Sequence, residues 1–311
     1  MGIPFRRGSG RRRTGRRHNP DGTMTLIEHL YELRRRLTIA IIAVLACAVV
    51  GFVWFQFNIL GLPTLGKLLT DPYCDLPENL RADISIDNKC QLLATAPFEA
   101  FMLQFKVGVS AGVVLASPFW LYQLWGFITP GLYAKERKYA LTFVAIAAGL
   151  FVAGALLAYV VVATGLEVLL GFGGGQVVTA LTGDRYFSFI LTMLLIFGVS
   201  FELPVLVVML NRAGVLTYAK LRRWLRGIIM GLFAFAAVAT PSQDPISMLA
   251  LAGALTILFG IAMVIARFHD KRHPREEWAD VDDDEATPMD DYAVDPVAPA
   301  DPVRPTYDDA T

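Results

Sequence analysis

The chain has 311 residues, of which 55% are hydrophobic and only 18% charged. Apolar runs of about 20 residues recur, the length that spans a bilayer as a helix, so a single modest soluble domain is excluded. The formal net charge of zero conceals two oppositely charged ends.

Residues 1–22 carry seven arginines against the single acid Asp21. This composition predicts a disordered basic tail. Its RR pairs have no short export-signal core directly after them, so they read as an inside-anchoring tail rather than as a targeting signal. From Thr25 to Leu37 the spacing predicts a short charged helix pressed against a membrane. Leu26, Leu30, Leu33 and Leu37 fall on one stripe, with Glu28, Glu32, Arg35 and Arg36 opposite. Thr25 with Glu28 is a capping-box start.

Six membrane-spanning helices are expected, near 38–57, 100–126, 139–164, 187–211, 226–240 and 246–266. Together they make 23–273 an all-α membrane domain. The first run is longer than a signal core, and no A-x-A-like cleavage site follows it. After it, 58–97 is the longest connection and holds Cys74 and Cys90. On an oxidising face these two form a disulfide; otherwise they are two free thiols. Cys47 lies inside the first run and reads as ordinary packing.

Lys106, near the start of the second run, can snorkel. Gly108 and Gly112 make a small-xxx-small pattern that permits close helix approach. Gly171 to Gly175 follow no strand and read as a flexible turn. Glu202 sits inside the fourth run, where a charge costs about 2.5–3.5 kcal/mol on insertion scales. It is either a contact point for another transmembrane segment or for the cargo path, or a protonated carboxyl bonded to a neighbouring helix. Pro204 frees backbone groups beside it and predicts a kink. The fifth run has only fourteen residues between Arg226 and Pro241, a rise of about 21 Å against a hydrocarbon core of roughly 30 Å. Either its helix extends back through 218–226 with snorkelling arginines, or the bilayer thins. Asp244 lies in the turn before the last run, where an Asp needs no special role. Residues 274–311 are Pro-rich and dominated by Asp and Glu, and predict a disordered acidic tail.

Lys and Arg set the orientation. The N-terminus, 135–138, 212–226 and 267–275 together hold 22 of the 28 basic residues, which places both termini in the cytoplasm. The sequence has no HExxH, CxxC or G-x-S-x-G pattern and no nucleotide-binding motif, so it predicts no enzyme, no cofactor and no metal site. No nucleic-acid partner is expected. A small-solute secondary transporter is the alternative, although no convincing inverted repeat is visible.

Five stretches carry a resemblance: HLYELRRRL (29–37), ATAPFEAF (94–101), SPFWLYQLWGFITPGLYAKERKY (117–139), FGVSFELPV (197–205) and TPSQDP (240–245). Together, from about residue 25 to 267, they resemble TatC, the polytopic core of the twin-arginine protein translocase. The resemblance implies a concave bundle of six helices in a bacterial plasma membrane. It implies a receptor for signal peptides bearing two consecutive arginines, in a complex that exports folded proteins with the proton-motive force. Glu32, Arg34 and Arg36, with Phe127, Glu136 and Arg137, would form the signal-peptide surface. Glu202 would belong to an intramembrane polar cluster where single-span TatA- or TatB-type subunits dock, and the chain would form homo-oligomers within the complex. One departure is the outer turn, where Ser242 and Gln243 precede Asp244 and the family often has an acid directly after a Pro-Pro pair.

The side-chain chemistry suits that role. Arginine meets a carboxylate through a planar fork of parallel hydrogen bonds, which lysine cannot supply. Two adjacent arginines need acceptors from two directions, and Glu32 and Glu136 come from separate segments. The plainer reading of Glu32 is an i,i+4 pair with Arg36, and of Glu136 a charge at a helix start.

Overall fold

The computed structural model describes residues 26–272 except 60, 78–89, 91, 129–136, 172–180 and 242–243, and gives only backbone at 26, 128 and 137–140. Both predicted tails lie outside the described residues, as do Thr25 of the capping box, Glu136 and most of the Gly171–Gly175 cluster. The described residues are helical, with ten helices and one isolated bridge between Leu93 and Thr182.

Helix α1 runs from Leu26 to Trp54 without interruption. The charged segment expected as a separate short helix is therefore the first three turns of the first span. No Gly or Pro interrupts 26–37, so the helix has no reason to stop there. A small helix, α2 (Leu65–Cys74), follows in the long connection, capped by Thr64 accepting from Lys67 N at 3.2 Å.

The second run is not one straight helix. It consists of α3 (Glu99–Leu115) and α4 (Ser117–Ile128), bent by 57°. Pro118 lacks the N–H that would continue the ladder and its ring crowds the preceding turn. The Trp120 indole donates to the Val113 carbonyl at 3.0 Å and satisfies one group freed at the bend. Helix α5 is Arg137–Gly171. The fourth run is α6 (Gly183–Ser200) and α7 (Glu202–Arg212), which meet at Phe201, three residues before Pro204.

The stretch before the fifth run is helical, but as a separate element. Helix α8 (Tyr218–Arg223) ends at Trp224, where φ −94° and ψ 4° interrupt the ladder, and α9 (Leu225–Ala239) then starts afresh. The expected continuous extension is replaced by a break, and α9 stays short, about 22 Å for its 15 residues. Helix α10 is Pro245–Arg272. Among the described residues, four helical segments are long and apolar enough to cross a membrane, the bent α3–α4 pair makes a fifth, and α9 is a shorter sixth.

Close packing follows the small residues. On α3, Gly108 and Gly112 lie against α1; a Cβ on Gly112 would sit 2.6 Å from Ala48 N, and one on Gly108 3.1 Å from Phe52 Cα. The small-xxx-small spacing thus brings two backbones together. Gln104 bridges the same seam, donating to Phe52 O at 3.0 Å and accepting from Gln56. Gly198 faces the Phe151 ring between α5 and α6. One buried cluster joins α2, α5, α6 and α10 through Tyr73, Val162, Tyr186 and Leu251; a second joins α4, α5 and α7 through Leu121, Trp125, Phe151 and Val205.

Candidate functional site

Glu32, Arg34 and Arg36 lie on the early turns of α1. The Arg36 Nη2 and Nε both donate to Glu32 Oε1, at 2.6 and 3.0 Å. Both donors converge on one oxygen, so Glu32 Oε2 accepts no hydrogen bond among the described residues. The pair is about a quarter exposed, and an i,i+4 pair of this kind contributes only ~0.3–0.5 kcal/mol. Arg34 is exposed, and its carbonyl accepts from Thr38 Oγ1 at 2.8 Å.

Helix α4 delivers the opposing surface. Arg36 lies over Gly126, and a Cβ at that position would collide with its Nη1. One position on, Phe127 stacks on His29 with ring centroids 4.4 Å apart and an interplanar angle of 24°. The fold thus brings Glu32, Arg36 and Phe127 onto one surface, with Gly126 and His29 as contributors that sequence reasoning missed. A glycine facing an arginine across 90 positions leaves no local signature. Glu136 lies outside the described residues, and Arg137 opens α5 with its backbone alone described.

Glu202 opens α7. Both its carboxyl oxygens are shielded from solvent. The Trp125 indole of α4 is the polar group beside them. Because Trp125, Gly126 and Phe127 are consecutive, the end of α4 touches both the shielded carboxyl of Glu202 and the Glu32–Arg36 surface.

Asp244 is 4% exposed and caps α10: its Oδ1 accepts from Ser247 N at 2.7 Å and its carbonyl from Met248 N at 3.1 Å. Pro245 follows at the first helical position, where a missing N–H costs nothing. Gly165 of α5 passes close by, since a Cβ there would sit 3.3 Å from Asp244 Oδ1. These contacts give Asp244 a capping role.

At the same end, Cys74 on the last turn of α2 is bonded to Cys90, with Cα atoms 5.8 Å apart. Tyr159 of α5 and Tyr186 of α6 donate their hydroxyls to Leu68 O and Leu69 O at 2.8 and 2.7 Å. Lys106, expected to snorkel, is ion-paired instead with Asp184 at the start of α6 and also donates to Ser188 Oγ at 3.2 Å. Glu99 Oε1 accepts from Asp184 N at 3.1 Å, while its Oε2 accepts from Thr95 N and Ala96 N.

An all-helical polytopic membrane protein, with charged groups gathered at helix ends and breaks, is the class this architecture defines. The family model described as "Sec-independent protein translocase protein (TatC)" matches residues 28–253. A protein of that name from Corynebacterium kroppenstedtii is 48% identical over 283 residues, covering 87% of this chain and 68% of its own length. One from Frankia casuarinae is also 48% identical, over 276 residues, covering 87% and 74%. A crystal structure of the twin-arginine translocase receptor TatC in DDM superposes with a TM-score of 0.63 at 30% identity, covering 77% of this chain and 99% of that one. The chain belongs to the TatC family and is a component of the Sec-independent protein translocase.

Proposed function

We propose that this chain is the plasma-membrane receptor that grips the paired arginines of signal peptides on folded proteins awaiting export. The observation that carries the reading is the convergence of Glu32, Arg36, Gly126 and Phe127 on one surface leading into residues 129–136. Arg36 holds one Glu32 oxygen and leaves the other to an incoming guanidinium. Glu136, on the connection that follows Phe127, supplies the second acceptor. Arg34 and Arg137 flank the site and set its charge, and Phe127 provides an apolar wall for the residues around the doublet. The surface lies on the cytoplasmic side, because the basic segments cluster at that end of the helices. The end of the bundle that carries α2 then faces outward, where the Cys74–Cys90 bridge is stable. Domain limits follow the composition: a basic tail at 1–22, the membrane domain at 23–273 and an acidic tail at 274–311.

Glu202, shielded beside Trp125, is the docking point for single-span TatA- or TatB-type subunits, whose own polar group would satisfy its carboxyl within the bilayer. Several copies of the chain gather in the same complex.

The test is photo-crosslinking of a labelled twin-arginine peptide. The double variant Glu32→Gln/Glu136→Gln should lose most of the crosslink while remaining in the membrane; unchanged yield would remove the proposal. Glu202→Ala should weaken co-purification of the single-span subunits more than peptide crosslinking, and the reverse pattern would exchange the two roles.

A further inference from the structure

We propose that the junction of α8 with the end of α10 binds the phosphate headgroup of an anionic lipid. Helix α8 is held on α10 by a polar clamp. The buried Asn211 donates through Nδ2 to Leu216 O at 2.8 Å and to Asp270 Oδ1 at 2.9 Å, and Tyr218 N donates to Asp270 Oδ2 at 2.7 Å. Leu221 packs with Phe259 and Ala266 beneath it. Both oxygens of Asp270, the only acid in α8–α10, are therefore engaged inside the clamp.

Around this clamp stand Arg222, Arg223, Arg226, Arg267, Lys271 and Arg272, all exposed. The Arg267 guanidinium lies over the Tyr218 ring at 6.0 Å, which orients it beside α8. The other five form no ion pair among the described residues. A rigidly held cluster of six cations at a membrane boundary, with Asp270 the one acid among the described residues of α8–α10, keeps a net positive charge and calls for an anionic partner. Three exposed apolar or aromatic side chains and the length of α9 locate that partner in the lipid. Trp224 is 69% exposed between the arginines, at the depth where indole rings settle at headgroup level. Phe268 and Met230 are 60% and 74% exposed alongside it and offer contacts to acyl chains. Helix α9 begins at Leu225 and is too short to span an undistorted hydrocarbon core. The guanidinium groups at its start are therefore kept at the level of lipid phosphates. Arginine binds such a phosphate through its planar fork.

The experiment uses the full chain in zwitterionic micelles and measures retention of phosphatidylglycerol and of phosphatidylcholine by native mass spectrometry. Arg222→Gln/Arg223→Gln/Arg226→Gln should weaken phosphatidylglycerol retention about tenfold or more and leave phosphatidylcholine unchanged. The corresponding triple lysine variant should keep most of the binding. Lys271→Gln/Arg272→Gln, in the last turn of α10, should act in the same direction and serves if the triple variant is not monodisperse. Retention of phosphatidylglycerol at the original strength in both glutamine variants would overturn the proposal. Displacement of the lipid by millimolar inorganic phosphate would reduce the site to a free-anion site and overturn it too. Binding that emerges only after removal of 274–311 would assign the surface to the acidic tail instead of to lipid.

Discussion

At the end of the bundle that carries α2, each neighbouring element is tied to the next. Two tyrosine hydroxyls hold α2 on α5 and α6, the Cys74–Cys90 bond closes the connection, Leu93 O accepts from Gly183 N at 2.8 Å, and Lys106 pairs with Asp184. At the opposite end, α1 meets the tip of α4 through one stacked ring pair, an ion pair within α1 itself, and a glycine. Leu30, Leu33 and Leu37 there are 55%, 38% and 55% exposed. The contrast separates the parts that hold the helices in place from the part that, in the proposed function, receives a ligand. Groups already committed to one another cannot bind an incoming chain, whereas a weak ion pair exchanges partners at little cost.

The largest expected effect is at the fastened end. Cys74→Ser, with Cys90→Ser, opens a loop of 16-residue separation and should lower stability by about 3 kcal/mol. Amide hydrogen exchange should then quicken across α2 while α1 near Glu32 stays as before. Equal quickening at both ends would mean that the two regions are one cooperative unit. A smaller loss is expected from Tyr186→Phe, which removes the buried hydroxyl bond to the Leu69 carbonyl and should cost about 0.5–1.5 kcal/mol in thermal unfolding. The smallest stability effect belongs to Glu32→Gln: the loss of an i,i+4 pair should shift unfolding by under about 0.5 kcal/mol. Peptide binding should nevertheless fall. A large stability loss at Glu32 would make it a structural residue and erase the contrast.

The number and order of the apolar runs were legible because a bilayer imposes one length on every crossing helix. Glu202 and the Gly108–Gly112 seam were legible for a related reason, since a charge or a close backbone approach within an apolar run stands out. The bend at Pro118 was written in the sequence but was hidden by the unbroken hydropathy on either side. Helix α2 had its own signals, Thr64 as cap with Leu65, Leu69 and Tyr73 at helical spacing, yet the surrounding loop chemistry masked them. Lys106 with Asp184, and Asn211 with Asp270, are separated by 78 and 59 positions. Such pairs arise only once helices have packed, and nothing local announces them. In the proposed recognition surface, Glu32 and Phe127 came from a resemblance, whereas His29 and Gly126 needed the tertiary fold.

The most direct measurement compares crosslinking of two peptides that differ only in carrying Arg-Arg or Lys-Lys at the paired position. Capture by planar forks at two carboxylates predicts strong crosslinking of the arginine peptide near Glu32 and Phe127. It predicts a drop of roughly tenfold or more for the lysine peptide, as loss of about 1.5–3 kcal/mol per charge-assisted bond implies. Equal crosslinking of both peptides would show that net positive charge alone is recognised and would contradict the account.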